Sequence, residues 1–181
     1  MMARREPSVS GAHLQDSVSA GSSGTPAPIT IGSIDAAAST VVYLGTTISN
    51  VTLSNSNGDT EYGPNSLTVP QQSSGSTIPV TVTFNYAFDP TPGNDACTGG
   101  GCIIQAQIGL STDSAPQACG PNGNPGNSGS GATATVQVPN QPGRYYVAMD
   151  RSLDYGCFVS GQQWWDGPPS ASRWIGIIDV Q

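Results

Sequence analysis

The chain has 181 residues, of which only 9% are charged, and its 12 acidic and five basic side chains give a net charge of −7. This length can form one domain that buries a core. The acidic excess disfavours nucleic-acid binding, which rewards clustered Lys and Arg. No apolar run is long enough for a transmembrane helix, so we expect no membrane span.

Residues 1–28 are rich in Ser, Gly, Ala and Pro, and they predict a flexible N-terminal arm or linker before a single β-sandwich domain over residues 29–181. A disordered tail is the simpler interpretation. The alternative is an arm that pairs with the sheet edge of a neighbouring subunit. The arm contains no apolar stretch of signal-peptide length. We therefore expect a leader outside this sequence, unusual export, or release by lysis, as for a phage or virion structural protein.

From Ile29 onward, apolar side chains recur at every second position, which predicts β-strands rather than helices. The strands predicted in chain order are residues 29–34, 40–44, 47–53, 66–69, 78–88, 104–110, 132–138, 145–149 and 174–180. The last of these is apolar on both faces, so we expect it to be central or covered on both sides. Glycine-rich residues 120–131 predict a long surface connection. Short strands with Gly/Pro-rich turns predict an all-β fold, a two-sheet antiparallel sandwich.

One segment resembles a known family. Residues 138–147 read Val-Pro-Asn-Gln-Pro-Gly-Arg-Tyr-Tyr-Val, which is similar to the run that enters a late core strand in extracellular Ig-like modules of bacterial and archaeal surface proteins. The resemblance implies an Ig-like β-sandwich and carries no functional residue across. The expected fold is therefore a sandwich of Ig-like or jelly-roll type.

Four cysteines, Cys97, Cys102, Cys119 and Cys157, lie in the C-terminal half of the chain. An even set of thiols in a weakly charged chain predicts two disulfides and a location outside a reducing cytoplasm. We expect the pairs Cys97–Cys102, which would close a short Gly-rich loop, and Cys119–Cys157, which would join strand ends. A zinc site is not expected, because the spacing does not repeat and the only histidine, His13, lies in the arm. No metal or other cofactor is expected.

Acid–base groups are sparse in this sequence. The chain has no lysine, and its single histidine lies in the arm, so a Ser–His–Asp or Ser–Lys arrangement is not expected. Asp150, Asp154 and Asp166 provide carboxylates of the kind that a glycoside hydrolase uses in pairs. Aspartates in loops more often form turns. We therefore expect no enzyme, with a hydrolase built on these three residues as an alternative.

The most prominent aromatic group is Trp164 and Trp165, with Tyr155 and Asp166 nearby. Adjacent residues in a strand face opposite ways, so at least one indole is expected to be exposed. An exposed tryptophan marks a protein interface, or it offers a flat face on which a sugar ring can stack. The simplest alternative is that the pair caps one end of the sandwich.

These observations together predict a non-catalytic structural or adhesive module. We expect it to be extracellular or surface-displayed and to associate with copies of itself or with other surface proteins in a surface or filament assembly. The alternative is a carbohydrate-binding module that binds a glycan through Trp164 and Trp165.

Overall fold

The structure is a computed structural model that describes residues 37–55, 60–63, 65–89, 103–153 and 163–181, without the side chains of residues 60–63. The chain divides into two units, Met1–Ile34 and Asp35–Gln181, and every described residue belongs to the second. The following predicted features lie outside the described residues: the arm, the strand at 29–34, Cys97, Cys102, Asp154, Tyr155 and Cys157.

β-Strands are the main secondary structure of the described residues. The strands are β1 (Thr40–Tyr43), β2 (Thr46–Ser54), β3 (Thr60–Gly63), β4 (Ser66–Val69), β5 (Thr77–Phe88), β6 (Ile104–Leu110), β7 (Ala118–Gly123), β8 (Ser128–Pro139), β9 (Gly143–Ser152) and β10 (Trp174–Val180), with a 3₁₀ turn at Ala171–Arg173 before the last. They form a four-stranded sheet in the order β1-β2-β5-β8 and a six-stranded sheet in the order β3-β4-β10-β9-β6-β7. The prediction of an all-β fold with two sheets is confirmed.

The core lies between the two sheets and follows from the two-residue period of the strands. On β5, alternate side chains from Ile78 to Phe84 have no exposed surface. They share one apolar cluster with Ile108 and Met149 from the six-stranded sheet. Burying one side chain of this size stabilises the fold by about 1.5–3 kcal/mol. Alternation on both sheets thus creates the packed interior.

One strand pair departs from the antiparallel prediction. β4 and β10 run parallel, with Leu67 beside Ile178. Parallel pairing needs a long connection between the two strands, and β5 to β9 lie between them in the chain. β10 itself lies between β4 and β9, so the expectation of a central last strand is confirmed.

The prediction of a long surface connection over residues 120–131 is wrong. β7 begins at Ala118 and pairs with β6, with Cys119 opposite Gln107, so only residues 124–127 connect β7 to β8. The glycine-rich composition of residues 120–131, together with Pro121, favoured a loop over a strand. Proline is tolerated here because β7 is an edge strand of its sheet.

Pro79 lies inside β5, a strand with neighbours on both sides. The pairing with β2 ends where Ser54 meets Thr81, so no β2 residue lies opposite Pro79. On the other side Pro79 pairs with Gln137. The backbone N–H and C=O of Gln137 bind the side chain of Gln117 instead of β5. The missing N–H of Pro79 therefore removes no hydrogen bond from either neighbour.

Cys119 is disulfide-bonded, and no described cysteine is free. Its partner lies outside the described residues, which therefore contain no complete disulfide pair. The pairs Cys97–Cys102 and Cys119–Cys157 stay predictions. Within the same residue ranges, no helix has the length and apolar character needed to cross a membrane.

Candidate functional site

The outer face of the six-stranded sheet carries buried polar side chains. Met149 of β9 points into the core, so Asp150 points away from it. Gln107 of β6 pairs with Asp150 and lies on the same face. Asp150 and Gln107 are only 0% and 1% exposed, which requires a covering segment. Among the described residues, Trp164 to Arg173 provide this cover.

Trp164 is buried against this face. It is only 3% exposed, and its indole N–H donates to the backbone oxygen of Asp113 at 2.8 Å. Gly109 provides the space, since a Cβ at that position would lie 3.1 Å from Trp164 Cη2. The Trp164 indole is therefore a cap over the sheet and is not offered to solvent.

Trp165 has the opposite environment, with 42% of its surface exposed. Its backbone N–H donates to Oε1 of Gln107 at 3.0 Å, and the next N–H, of Asp166, donates to Oδ2 of Asp150 at 3.0 Å. Trp165 and Asp166 are thus hydrogen-bonded to the sheet itself, whereas Trp164 is hydrogen-bonded to the connection between β6 and β7. The result is an exposed indole on a fixed backbone.

Asp150 is the centre of this anchorage. Its Oδ1 accepts the backbone N–H of Arg151 at 2.8 Å, and its Oδ2 lies 3.1 Å from Nη1 of Arg173. Burial raises the pKa of Asp150 and outweighs the N–H groups of Asp166 and Arg151 and the Arg173 charge, all of which lower it. Removal of either partner of such a buried pair destabilises the fold, because the remaining charge stays buried and unpaired.

Arg173 connects the covering segment to the other sheet. Its Nη2 donates to the backbone oxygens of Gly167 at 3.0 Å and Pro168 at 2.8 Å. Its guanidinium carbon lies 4.6 Å from the ring centroid of Tyr43 on β1, a cation–π distance. Burial, followed by the charge of Asp166, raises the pKa of Tyr43.

Arg151 makes a second connection between the sheets. It is 3% exposed, and its Nη1 donates to the backbone oxygen of Leu44 at 2.8 Å. Leu44 and Gly45 form the tight turn between β1 and β2, with φ values of 44° and 78°. Two positive φ values are the mark of a type I′ hairpin turn, which leucine rarely adopts. Arg151 Nε also lies 3.8 Å from Oδ2 of Asp166.

The sequence named some of these residues and missed others. It proposed Asp150 and Asp166 as paired carboxylates, and the structure brings them together. It did not identify Arg151 and Arg173, although an arginine within or next to an apolar strand is a sign of a buried ion pair. Nor did it identify Tyr43, whose contact with Arg173 depends on how the two sheets pack.

The contacts at this site fix the backbone of Trp165 and Asp166 and leave the Trp165 indole exposed. The carboxylate of Asp150 is fully buried, whereas 26% of the Asp166 side chain is exposed. The described part of the chain contains no group of three or more His, Cys, Asp or Glu residues able to hold a metal ion. Comparison with known protein families, with curated proteins and with solved structures gave no match for this chain.

Proposed function

We propose that this chain is a non-catalytic structural or adhesive module that associates with copies of itself, or within a larger surface assembly, through the surface centred on Trp165. One observation carries the proposal. Trp165 exposes its indole from a backbone that is hydrogen-bonded to the sheet at the exposed residue itself and at the next one.

A fixed backbone favours binding because association must otherwise order the contact segment. That ordering costs about 0.5–1.5 kcal/mol for each flexible side chain immobilised. Tryptophan is also among the side chains that contribute most when an interface forms. An exposed indole on a preorganised backbone therefore suits a contact surface better than a simple cap, for which Trp164 alone would suffice.

We also propose that the module is an Ig-like or jelly-roll-type sandwich, stapled by Cys97–Cys102 and Cys119–Cys157, that works outside a reducing cytoplasm. The two-sheet architecture and the disulfide-bonded state of Cys119 support this proposal. Mass spectrometry of a non-reduced proteolytic digest tests it, because each predicted pair would yield one linked peptide. A peptide that links Cys97 to Cys119 would contradict the predicted pairs.

Sedimentation velocity over a concentration series tests the association. We expect the wild-type chain to form larger species as its concentration rises, and Trp165→Ala to weaken that association by about 30-fold, the equivalent of a typical 2 kcal/mol contribution from a central tryptophan. Val42→Ala is the matched control, since Val42 is the other large hydrophobic residue that the described part of the chain exposes. A monomeric wild type at all concentrations, or equal effects of the two substitutions, would overturn self-association through Trp165.

A carbohydrate-binding module is the second candidate, and it would use Trp165 without Trp164. The favouring observation is that Gln163 and Asp166, on either side of the tryptophan pair, are both exposed. An amide and a carboxylate can bind sugar hydroxyls while a sugar ring lies against the indole. Titration with a panel of soluble polysaccharides, followed by tryptophan fluorescence, tests this. A response equal in wild type and Trp165→Ala, or no response, would remove the candidate.

We do not propose a hydrolase. A two-carboxylate mechanism requires both groups to reach the scissile bond. The Asp150 side chain is fully buried, and both of its oxygens already accept backbone N–H groups. Asp150 therefore serves to position the segment that bears Trp165.

A further inference from the structure

The longest sheet edge in the described residues belongs to β8. This strand has 12 residues, lies at the margin of the four-stranded sheet and contains no charged side chain. Exposed strand edges can pair with other chains, and proteins usually protect them with charges, prolines or bulges. Without charges, β8 must be protected in another way.

The pairing register shows which backbone groups of β8 face outward. Gln137 lies opposite Pro79 and directs its N–H and C=O away from β5. In an antiparallel ladder, alternate residues direct these groups to the same side. Thr135 and Thr133, which pair with Thr81 and Thr83, therefore also present their N–H and C=O at the outer edge.

Gln117 occupies the position that a further strand would take. Its Oε1 accepts the N–H of Gln137, and its Nε2 donates to the C=O of Gln137 at 3.2 Å. The same Nε2 donates to Oδ2 of Asp113 at 2.6 Å, which fixes the orientation of the amide. One side-chain amide thus satisfies both backbone groups, as a paired residue of a neighbouring strand does.

The other half of the edge is distorted by a bulge. The register between β5 and β8 shifts between Phe84 and Tyr86. At this point Gly131 has a φ of 68°, and its N–H donates to Oδ1 of Asn85 at 3.2 Å. Bulges of this kind bend a strand and interrupt pairing. The regular outer edge is therefore limited to Thr133, Thr135 and Gln137, and Gln117 covers the last of these.

We propose that Gln117 is an edge-blocking residue that prevents β8 from pairing with β8 of a second copy of this chain. In its absence, two β8 strands would pair antiparallel about a twofold axis at Thr135, with Thr133 of each copy opposite Gln137 of the other. A second copy is the expected occupant because this register pairs the outward N–H and C=O groups of Thr133, Thr135 and Gln137 in both strands. In addition, the strand carries no charge that would repel its equivalent in another molecule of net charge −7.

The test is Gln117→Ala in the full chain, studied by sedimentation velocity and by hydrogen exchange. We expect self-association at least about tenfold tighter than that of the wild type. In dilute solution the Gln137 amide should exchange faster, since its acceptor is lost, and at high concentration the Thr133 and Thr135 amides should become protected. Gln141→Ala is the matched control, because Gln141 is exposed and follows β8.

Two further variants make the outcome decisive. Gln117→Met keeps the approximate size of the side chain but lacks both the acceptor for the Gln137 N–H and the donors to Gln137 and Asp113, so it should associate like Gln117→Ala. Adding Thr135→Pro to Gln117→Ala should restore the wild-type behaviour, since it removes one outward N–H that the β5 ladder does not use. If both Gln117 variants fold and associate no more than the wild type, or if Thr135→Pro has no effect, the proposal is overturned. Adding Trp165→Ala to Gln117→Ala should leave the new association in place, which separates this edge from the Trp165 surface.

Discussion

The side chain of Asp150 accepts the backbone N–H of Asp166 at 3.0 Å, across 16 positions in the sequence. Two neighbouring aspartates suggest a catalytic pair, but this contact gives Asp150 a structural role. The buried carboxylate of Asp150 holds the backbone of Asp166, and the indole of the preceding residue, Trp165, is exposed. The charge cluster of Asp150, Arg151, Asp166 and Arg173 is therefore interpreted as a support for Trp165.

Removal of Arg173 should destabilise the fold strongly. Arg173→Met leaves the buried carboxylate of Asp150 unpaired, and loss of one partner of a buried pair costs about 3–5 kcal/mol. Arg144→Met is the matched control, because the Arg144–Asp179 pair at 2.8 Å is partly exposed and a surface pair contributes about 0–1 kcal/mol. Urea unfolding at neutral pH measures both. Equal losses of unfolding free energy in the two variants would show that the buried pair contributes no more to stability than the partly exposed pair.

The stability of the protein should depend on pH through Asp150. Its pKa is raised from 3.8 in the folded state, so between 3.8 and the higher native value the folded chain binds more protons than the unfolded chain. The Asp150 contribution to the free energy of unfolding therefore falls as pH rises through this window. Asp150→Asn removes that contribution. Urea unfolding over a pH series should show a gap between wild type and Asp150→Asn that changes across the window, and a constant gap would contradict the raised pKa.

The two adjacent tryptophans should differ sharply in their contribution to stability. Trp164→Ala opens a cavity under the covering segment and should cost about 3–5 kcal/mol. Trp165→Ala removes a largely exposed side chain and should change the free energy of unfolding by about 0.5 kcal/mol or less. Thermal and urea unfolding measure the difference. A large loss on Trp165→Ala would mean that its indole supports the fold and is not displayed for binding.

A left-handed residue in β2 gives a test of backbone strain. Asn50 is exposed and has a φ of 50°, at the register shift where β2 pairs with β5. Asn50→Val should destabilise the protein by about 1–2 kcal/mol, because a β-branched side chain is disfavoured in this conformation. Asn50→Gly should be nearly neutral. If the valine variant is as stable as the glycine variant in urea, the positive φ does not persist in solution.

Alternating hydrophobicity predicted the strands that face the core. The bounds of β6 and β10 match the predicted residues 104–110 and 174–180, because burial between two sheets imposes the two-residue period. β3 and β7 were not predicted. β3 has only four residues, too few to show a clear alternation. β7 is rich in turn-forming residues, which pairing tolerates because β7 lies at a sheet edge.

The candidate site was only partly predictable for a different reason. The local sequence identified Trp165, Asp150 and Asp166 because their chemistry is visible in isolation. The contacts of Gln107 and Arg173 join strands that are distant in the chain, and only the packed sheets bring them to this segment. Gln107 faces away from the core, where alternation alone would leave it exposed, but the segment that bears Trp165 covers it.

The position of β10 has a consequence for how this protein is made. β10 follows every other described strand in the chain, yet it lies in the middle of the six-stranded sheet, between β4 and β9. During synthesis, β4 and β9 leave the ribosome before β10. The backbone groups on the edges that face β10 have no strand partner until residues 174–180 emerge. Sheet closure must therefore wait for β10, and nascent chains that stop short of Trp174 would expose two open edges to aggregation or chaperones.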